Sequence, residues 1–258
     1  MYHNPQLVED FQLLVEAQKW ETVRGFFSFH KDEEEFIDKV IIWCRFFLRH
    51  YFKDPTPAFH RELIRAFFSK KNEFNAAPRG FAKTSLIQGC IGFSVANKLD
   101  TFLVLIEKNF TEASEVLDGI RTEFADNALI KTVYHSLIGK TDDSDAKDKD
   151  AQGDLLVNGG RLRGKGFDGP IRGMKFRQYR PSRIVLDDSE TDEHINSPEQ
   201  RLKGLYKYTK AIVPAVALDG SIKVFGTILH YDSLLNNLVK WHRGAIYRAY
   251  DHRVMPQD

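Results

Sequence analysis

Ala77-Pro78-Arg79-Gly80-Phe81-Ala82-Lys83-Thr84 follows a run of strand character, residues 73–77, and opens a run of helix character, residues 83–97. A loop that holds phosphate needs inward-facing backbone N–H groups, a lysine that reaches the β- and γ-phosphates, and a hydroxyl for Mg²⁺. Lys83 and Thr84, with Ser85 beside them, stand where these side chains belong. The N-terminus of the following helix completes the anion site. Alanine fills both outer glycine positions, at Ala77 and Ala82, and only Gly80 remains inside the loop. Small residues there still let the backbone approach a ligand. The plainer alternative is a strand–turn–helix junction with an exposed lysine.

Downstream, Arg183-Ile184-Val185-Leu186-Asp187-Asp188-Ser189-Glu190 reads as a buried strand that ends in acids. Ligands bind beyond the carboxyl ends of strands in open α/β sheets. One carboxylate there holds Mg²⁺, and a second orients and activates the attacking water. Asp187 suits the metal. Asp188 and Glu190 both suit the base, Asp188 by adjacency and Glu190 by reach. A third segment, residues 224–230, ends a strand in Gly226-Thr227 and continues to His230. A hydroxyl at that strand tip can sense a γ-phosphate.

Between these motifs the pattern alternates. Residues 101–106 (TFLVLI) form a continuously apolar, β-rich run of the kind a buried parallel strand needs. Helices are expected over 58–69, 111–124 and 231–241, extended chain over 154–162, and strands over 221–227 and 245–250. Ser197-Pro198-Glu199-Gln200 carries the cap, proline and glutamine that open a helix. Strands alternating with helices predict an α/β fold, a mostly parallel sheet flanked by helices. Residues 6–52 carry apolar side chains at helical spacing until Lys53-Asp54-Pro55-Thr56-Pro57 breaks the run. The chain therefore divides into an N-terminal helical subdomain, residues 1–56, and a larger domain, residues 57–258.

Lys and Arg total 37 against 36 Asp and Glu, so the net charge is +1, and bulk charge does not hold this chain on nucleic acid. Charge is local instead. Between 159 and 183 eight bases, among them Arg161, Arg163, Lys165 and Arg172, accompany a single acid, Asp168. Such density suits a phosphate backbone or a neighbouring subunit's nucleotide. Residues 141–150 form an acidic run expected as a solvated loop. Cys44 and Cys90 sit in apolar stretches and read as reduced core residues. The nine histidines lack metal-ligand spacing. No stretch approaches the roughly 20 apolar residues of a membrane span, and a cytosolic protein is expected.

These residues resemble the large terminase subunits of tailed bacteriophages over residues 55–250. AAPRGFAKTSL is similar to the family's Pro-Arg-Gly-x-x-Lys-Ser/Thr Walker A loop. IRGMKFRQYRPSRIVLDDSETDE resembles its Arg-Pro-x-x-hydrophobic-Asp-Asp-x-Glu stretch, and VFGTILHYDSLL its coupling motif. The resemblance implies an ASCE-type P-loop NTPase that hydrolyses ATP with Mg²⁺ and pumps double-stranded DNA into a capsid. Residues 77–85 would bind ATP, Thr84 and Asp187 the metal, and Asp188 or Glu190 would activate water. It makes Arg79 an arginine finger in cis, Gly226, Thr227 and His230 the coupling residues, and His60 an adenine contact. The portal protein, the small terminase subunit and ring-forming copies of the chain become partners, in host cytoplasm at the procapsid. The family's C-terminal nuclease has no counterpart among these residues. A degenerate nucleotide-binding module and a helicase or helicase loader are the competing readings.

Overall fold

The computed structural model describes residues 4–28, 30–138, 153–241 and 246–249. The acidic run 141–150 lies outside the described residues. The strands predicted from sequence, and one more that the sequence reading does not separate, form one sheet. They are β1 (Glu73–Ala76), β2 (Phe102–Glu107), β3 (Asp154–Val157), β4 (Gly160–Gly166), β5 (Arg183–Asp187), β6 (Ser221–Gly226) and β7 (Ile246–Ala249). Their order is β3-β4-β2-β5-β6-β1-β7, with β3 antiparallel to β4 and every other pair parallel. Strand residues alternate between two faces. Leu103, Leu105, Val185 and Phe225 enter one core, while Phe102, Val104, Ile106, Ile184, Leu186 and Val224 enter the other. A sheet covered on both sides explains why TFLVLI is apolar without interruption.

The first face is covered by α5 (Lys83–Ala96) and α6 (Phe110–Asp126), which follow β1 and β2. The second is covered by α9 (Pro198–Lys207) and α10 (Leu234–Trp241), which follow β5 and β6. Because β2 adjoins β5 and β6 adjoins β1, the chain leaves neighbouring strand ends toward opposite faces at two places. Crevices open at the carboxyl ends of strands at such switch points. The motifs of the sequence all lie there.

The N-terminal helices α1 (Pro5–Glu16), α2 (Trp20–Phe26) and α3 (Glu33–Phe47) share the first-face core with α5 and with α4 (Ala58–Phe68). Trp43 touches Phe93 edge-on at 5.9 Å between ring centres, and Phe36 meets both Phe68 and Phe93. Cys44 and Cys90 are buried free thiols of this core. The sequence reading does not anticipate α7 (Ala128–Tyr134). Asn127 starts it by accepting from Leu129 and Ile130 N–H. Ser197 caps α9 as expected, while a complete capping box, Thr191 with His194, opens the short α8 (Asp192–Ile195) upstream.

The expected extended stretch 154–162 is a hairpin. Asn158 and Gly159 both take positive φ, 52° and 83°, which matches the twist a two-residue hairpin turn demands. That hairpin corrects part of the DNA-contact expectation. Arg161 is only 4% exposed, and its guanidinium pairs with Asp154 across β3–β4. Arg163 donates to the same carboxylate at 2.6 and 3.0 Å. Both are committed to the fold because a buried cation needs a paired, hydrogen-bonded anion. Lys165 is half-buried on β4, and Arg172 is exposed, with its Nε donating to Lys210 O.

Candidate active site

The loop after β1 is anchored by its first residue, since Ala77 N–H donates to Gly226 O at 3.0 Å. Gly80 has φ +83° and Ala82 φ +50°. Left-handed backbone costs an alanine roughly 1–2 kcal/mol, while glycine adopts it freely. Ala82 therefore stands strained at the head of α5, at a position where the motif wants glycine. The loop is braced from behind by α4. Phe59 and Phe81 rings lie 4.9 Å apart, and His60 Nε2 is 3.0 Å from Phe81 O. Burial holds the His60 pKa below its ordinary value, so the neutral ring donates Nε2–H to that carbonyl. His60 does not line the cavity. The adenine contact expected of it is replaced by support of the loop.

The two acid and phosphate motifs meet. Thr84 Oγ1 donates to Asp187 Oδ2 at 2.7 Å. Lys83 Nζ, buried, donates to Ala77 O, Pro78 O and Thr227 Oγ1 at 3.0–3.2 Å, and lies 3.6 Å from Asp188 Oδ2. Thr227 ties the three segments together. Its N–H donates to Asp188 Oδ1 at 2.9 Å and its hydroxyl to Ala77 O at 3.2 Å. Beside them opens a cavity of about 480 Å³, lined by Arg79, Lys83, Thr84, Asp188, Glu190 and Thr227 among others, including Phe81, Ser85 and Gly226. Arg79 is exposed at its mouth.

Mg²⁺ fits the donors where Thr84 lines this cavity and Asp187 lies just behind it. Asp187 is fully buried, and its Oδ1 has no hydrogen-bond partner. With the Thr84 hydroxyl on Oδ2, the pair offers the oxygen-only ligands that Mg²⁺ prefers.

Glu190 has a different occupation. Its two oxygens accept from Leu234 N (2.6 Å) and Leu235 N (3.2 Å), so it caps α10. This capping explains why α10 begins at Leu234 and not at 231. His230 Nδ1 accepts from Asp232 N in the turn before α10, and the ring is not part of the cavity lining.

Two residues at the site escaped the sequence reading. Glu107 ends β2, the strand next to β5, and is buried at 5% exposure. Lys108, beside it, lines the cavity and pairs with Glu112 at 2.6 Å. The available signal was an acid closing the TFLVLI run.

Burial, then the Asp187 charge, pushes the Glu107 pKa up to about 9. Burial also pushes Asp187 up to about 7, with the charge of Asp188 adding to it and the Thr84 hydrogen bond opposing. A carboxyl whose folded pKa exceeds its unfolded one binds its proton more tightly when folded. The stability it contributes is complete below about pH 4 and is lost as pH rises through the folded value. The ligand-free protein is therefore expected to lose melting temperature through about pH 7 and on toward about pH 9. Asp187→Asn, which removes one member of the interacting pair, should flatten that decline. Parallel melting curves for wild type and variant would contradict this account.

No family model matches the chain, and no curated protein matches its sequence. Among solved structures, a DEAD box protein from the hyperthermophile Methanococcus jannaschii is similar at TM-score 0.50 and 17% identity, over 80% of this chain and 52% of that one. The fold is that of a P-loop NTPase. This chain spans about half the length of that DEAD box protein. A Thermus phage P74-26 large terminase ATPase domain mutant is similar at TM-score 0.48 and 11% identity, over 78% of this chain and 82% of that one. Saccharomyces cerevisiae Dbp5 bound to Gle1 and IP6 follows at TM-score 0.47 and 12% identity, over 80% and 50%. In this P-loop fold β6 separates the loop strand β1 from the acid strand β5.

Proposed function

We propose that this chain hydrolyses ATP and uses the energy to drive double-stranded viral DNA into a procapsid, as the ATPase part of a terminase large subunit. The observation that carries the ATPase reading is the Thr84–Asp187 hydrogen bond, which joins the loop and acid motifs beside one cavity. The packaging reading rests on the Pro78-Arg79-Gly80 loop, the Arg180-Pro181…Asp187-Asp188-Ser189-Glu190 stretch and Gly226-Thr227…His230.

In this mechanism the N–H groups of residues 79–84 and the start of α5 bind the phosphate tail. Mg²⁺, held by Thr84 and Asp187, would supply charge neutralisation on the β- and γ-phosphates. Lys83 and Arg79 stabilise charge on the transferred group, and Asp188 orients water for in-line attack. Thr227 hydrogen-bonds both the loop and Asp188, so it couples phosphate occupancy to β6. Of the four bases expected to meet DNA or a neighbouring subunit, Lys165 and Arg172 keep that role, while portal protein, small subunit and further copies of the chain are its assembly partners.

The test is phosphate release from Mg·ATP by wild type and Asp187→Asn, alone and with duplex DNA, single-stranded DNA or RNA. Packaging predicts release that duplex DNA stimulates and Asp187→Asn abolishes. Stimulation by single strands or RNA, with strand separation, would favour a helicase. Release no faster than that of Asp187→Asn would leave a nucleotide-binding module.

A further inference from the structure

The crevice between β2 and β5 has its own chemistry. Ile106 pairs with Leu186 across these parallel strands, so the next residues, Glu107 and Asp187, end the two strands side by side. Leu105 and Val185, two positions earlier, both face the first core. Strand alternation sends the Glu107 and Asp187 side chains to that same face, under the first turn of α5 where Thr84 bonds Asp187. Glu107 Oε1 and Asp187 Oδ1 are each buried without a hydrogen-bond partner among the described residues. The nearest ammonium groups are spent elsewhere, Lys83 on the loop carbonyls and Thr227, Lys108 on Glu112. Holding both carboxyl groups ionised there with no donor is costly unless something supplies donors and positive charge. Neither acid lines the cavity itself, but their chain neighbours Lys108 and Asp188 and the Thr84 that bonds Asp187 do, so both lie just behind its surface.

We infer that Glu107 is a positioning residue for the metal, accepting a hydrogen bond through Oε1 from a metal-bound water shared with Asp187 Oδ1. This rests on the ATPase reading of the site. It adds the tip of β2 to a site that the sequence motifs place on β1, β5 and β6. Outer partners of this kind set metal affinity without contacting nucleotide.

The test titrates Mg²⁺ into wild type and Glu107→Gln while following binding of a fluorescent N-methylanthraniloyl ATP. For Glu107→Gln the Mg²⁺ midpoint is expected to rise by about tenfold, with nucleotide affinity in EDTA unchanged. A merely structural role would lower affinity in EDTA and Mg²⁺ alike. A midpoint equal to that of wild type, or an equal loss in EDTA, overturns the inference and leaves the ATPase reading standing. If wild type itself shows no Mg²⁺-dependent binding, the ATPase reading falls and this inference with it. Glu107→Asp, which keeps the charge and shortens the reach, is read by the same criteria should Glu107→Gln fail to fold.

Discussion

Replacing Lys83 with alanine is expected to slow phosphate release by on the order of 10²–10³-fold and to weaken nucleotide binding with it. The side chain is 4% exposed, and its three donors are all engaged, on Ala77 O, Pro78 O and Thr227 Oγ1. It therefore does two things. It holds the loop's opening carbonyls against the tip of β6, and it sets a positive charge in a water-poor site where that charge acts strongly on phosphate. Alanine removes both. The fold should survive, because Asp188, the anion left behind, has a side chain 44% exposed and regains water. Lys83→Arg keeps the charge, but a rigid planar fork does not reproduce the three-way contact of a compact ammonium. It should be nearly as damaging. Initial rates of phosphate release, with circular dichroism to verify folding, decide the matter. A Lys83→Ala rate equal to wild type would remove the loop from the chemistry.

The centre of the sheet was legible because β2 and β5 are apolar on both faces, a pattern few other environments produce. TFLVLI and Arg183–Asp187 could be placed without knowing their neighbours. The order of strands could not, since β6 lies between β1 and β5 through contacts remote in sequence. Motif residues at strand tips were legible for the same local reason, and Lys83, Thr84, Asp187, Asp188, Glu190 and Thr227 do converge. What failed was any reading that needed to know what a side chain meets. Arg161 and Arg163 look like free charge in sequence, yet a hairpin turn at Asn158-Gly159 brings Asp154 onto both. The family resemblance makes His60 an adenine contact, yet α4 packs it against the back of Phe81. Glu107 is one acid among many until β2 is known to lie against β5. The Asn158-Gly159 pair was the one overlooked local signal, since it is the usual chemistry of a tight hairpin.

Adjacency and reach left Asp188 and Glu190 equal as the water-activating carboxylate, and the structure separates their surroundings. Asp188 takes φ +35°, an uncommon conformation for a residue with a side chain, and its carboxylate lines the cavity between Lys83 and Thr227. Backbone strain held at a cavity is a feature of residues that act there. Glu190 has both oxygens on the first N–H groups of α10. Burial raises its pKa, and those two hydrogen bonds pull it back. Asp188→Asn, which keeps shape and loses the charge, is therefore expected to lower turnover by about 10²–10⁴-fold with nucleotide affinity retained. Glu190→Gln should show the opposite balance. Loss of a helix cap costs about 0.5–2 kcal/mol of stability, visible as a lower melting temperature, with a smaller fall in turnover. Single-turnover phosphate release and thermal melting of the two variants, side by side, distinguish the roles. If Glu190→Gln abolishes chemistry while Asp188→Asn leaves it intact, the capping contacts must break on nucleotide binding and free Glu190 to face the γ-phosphate.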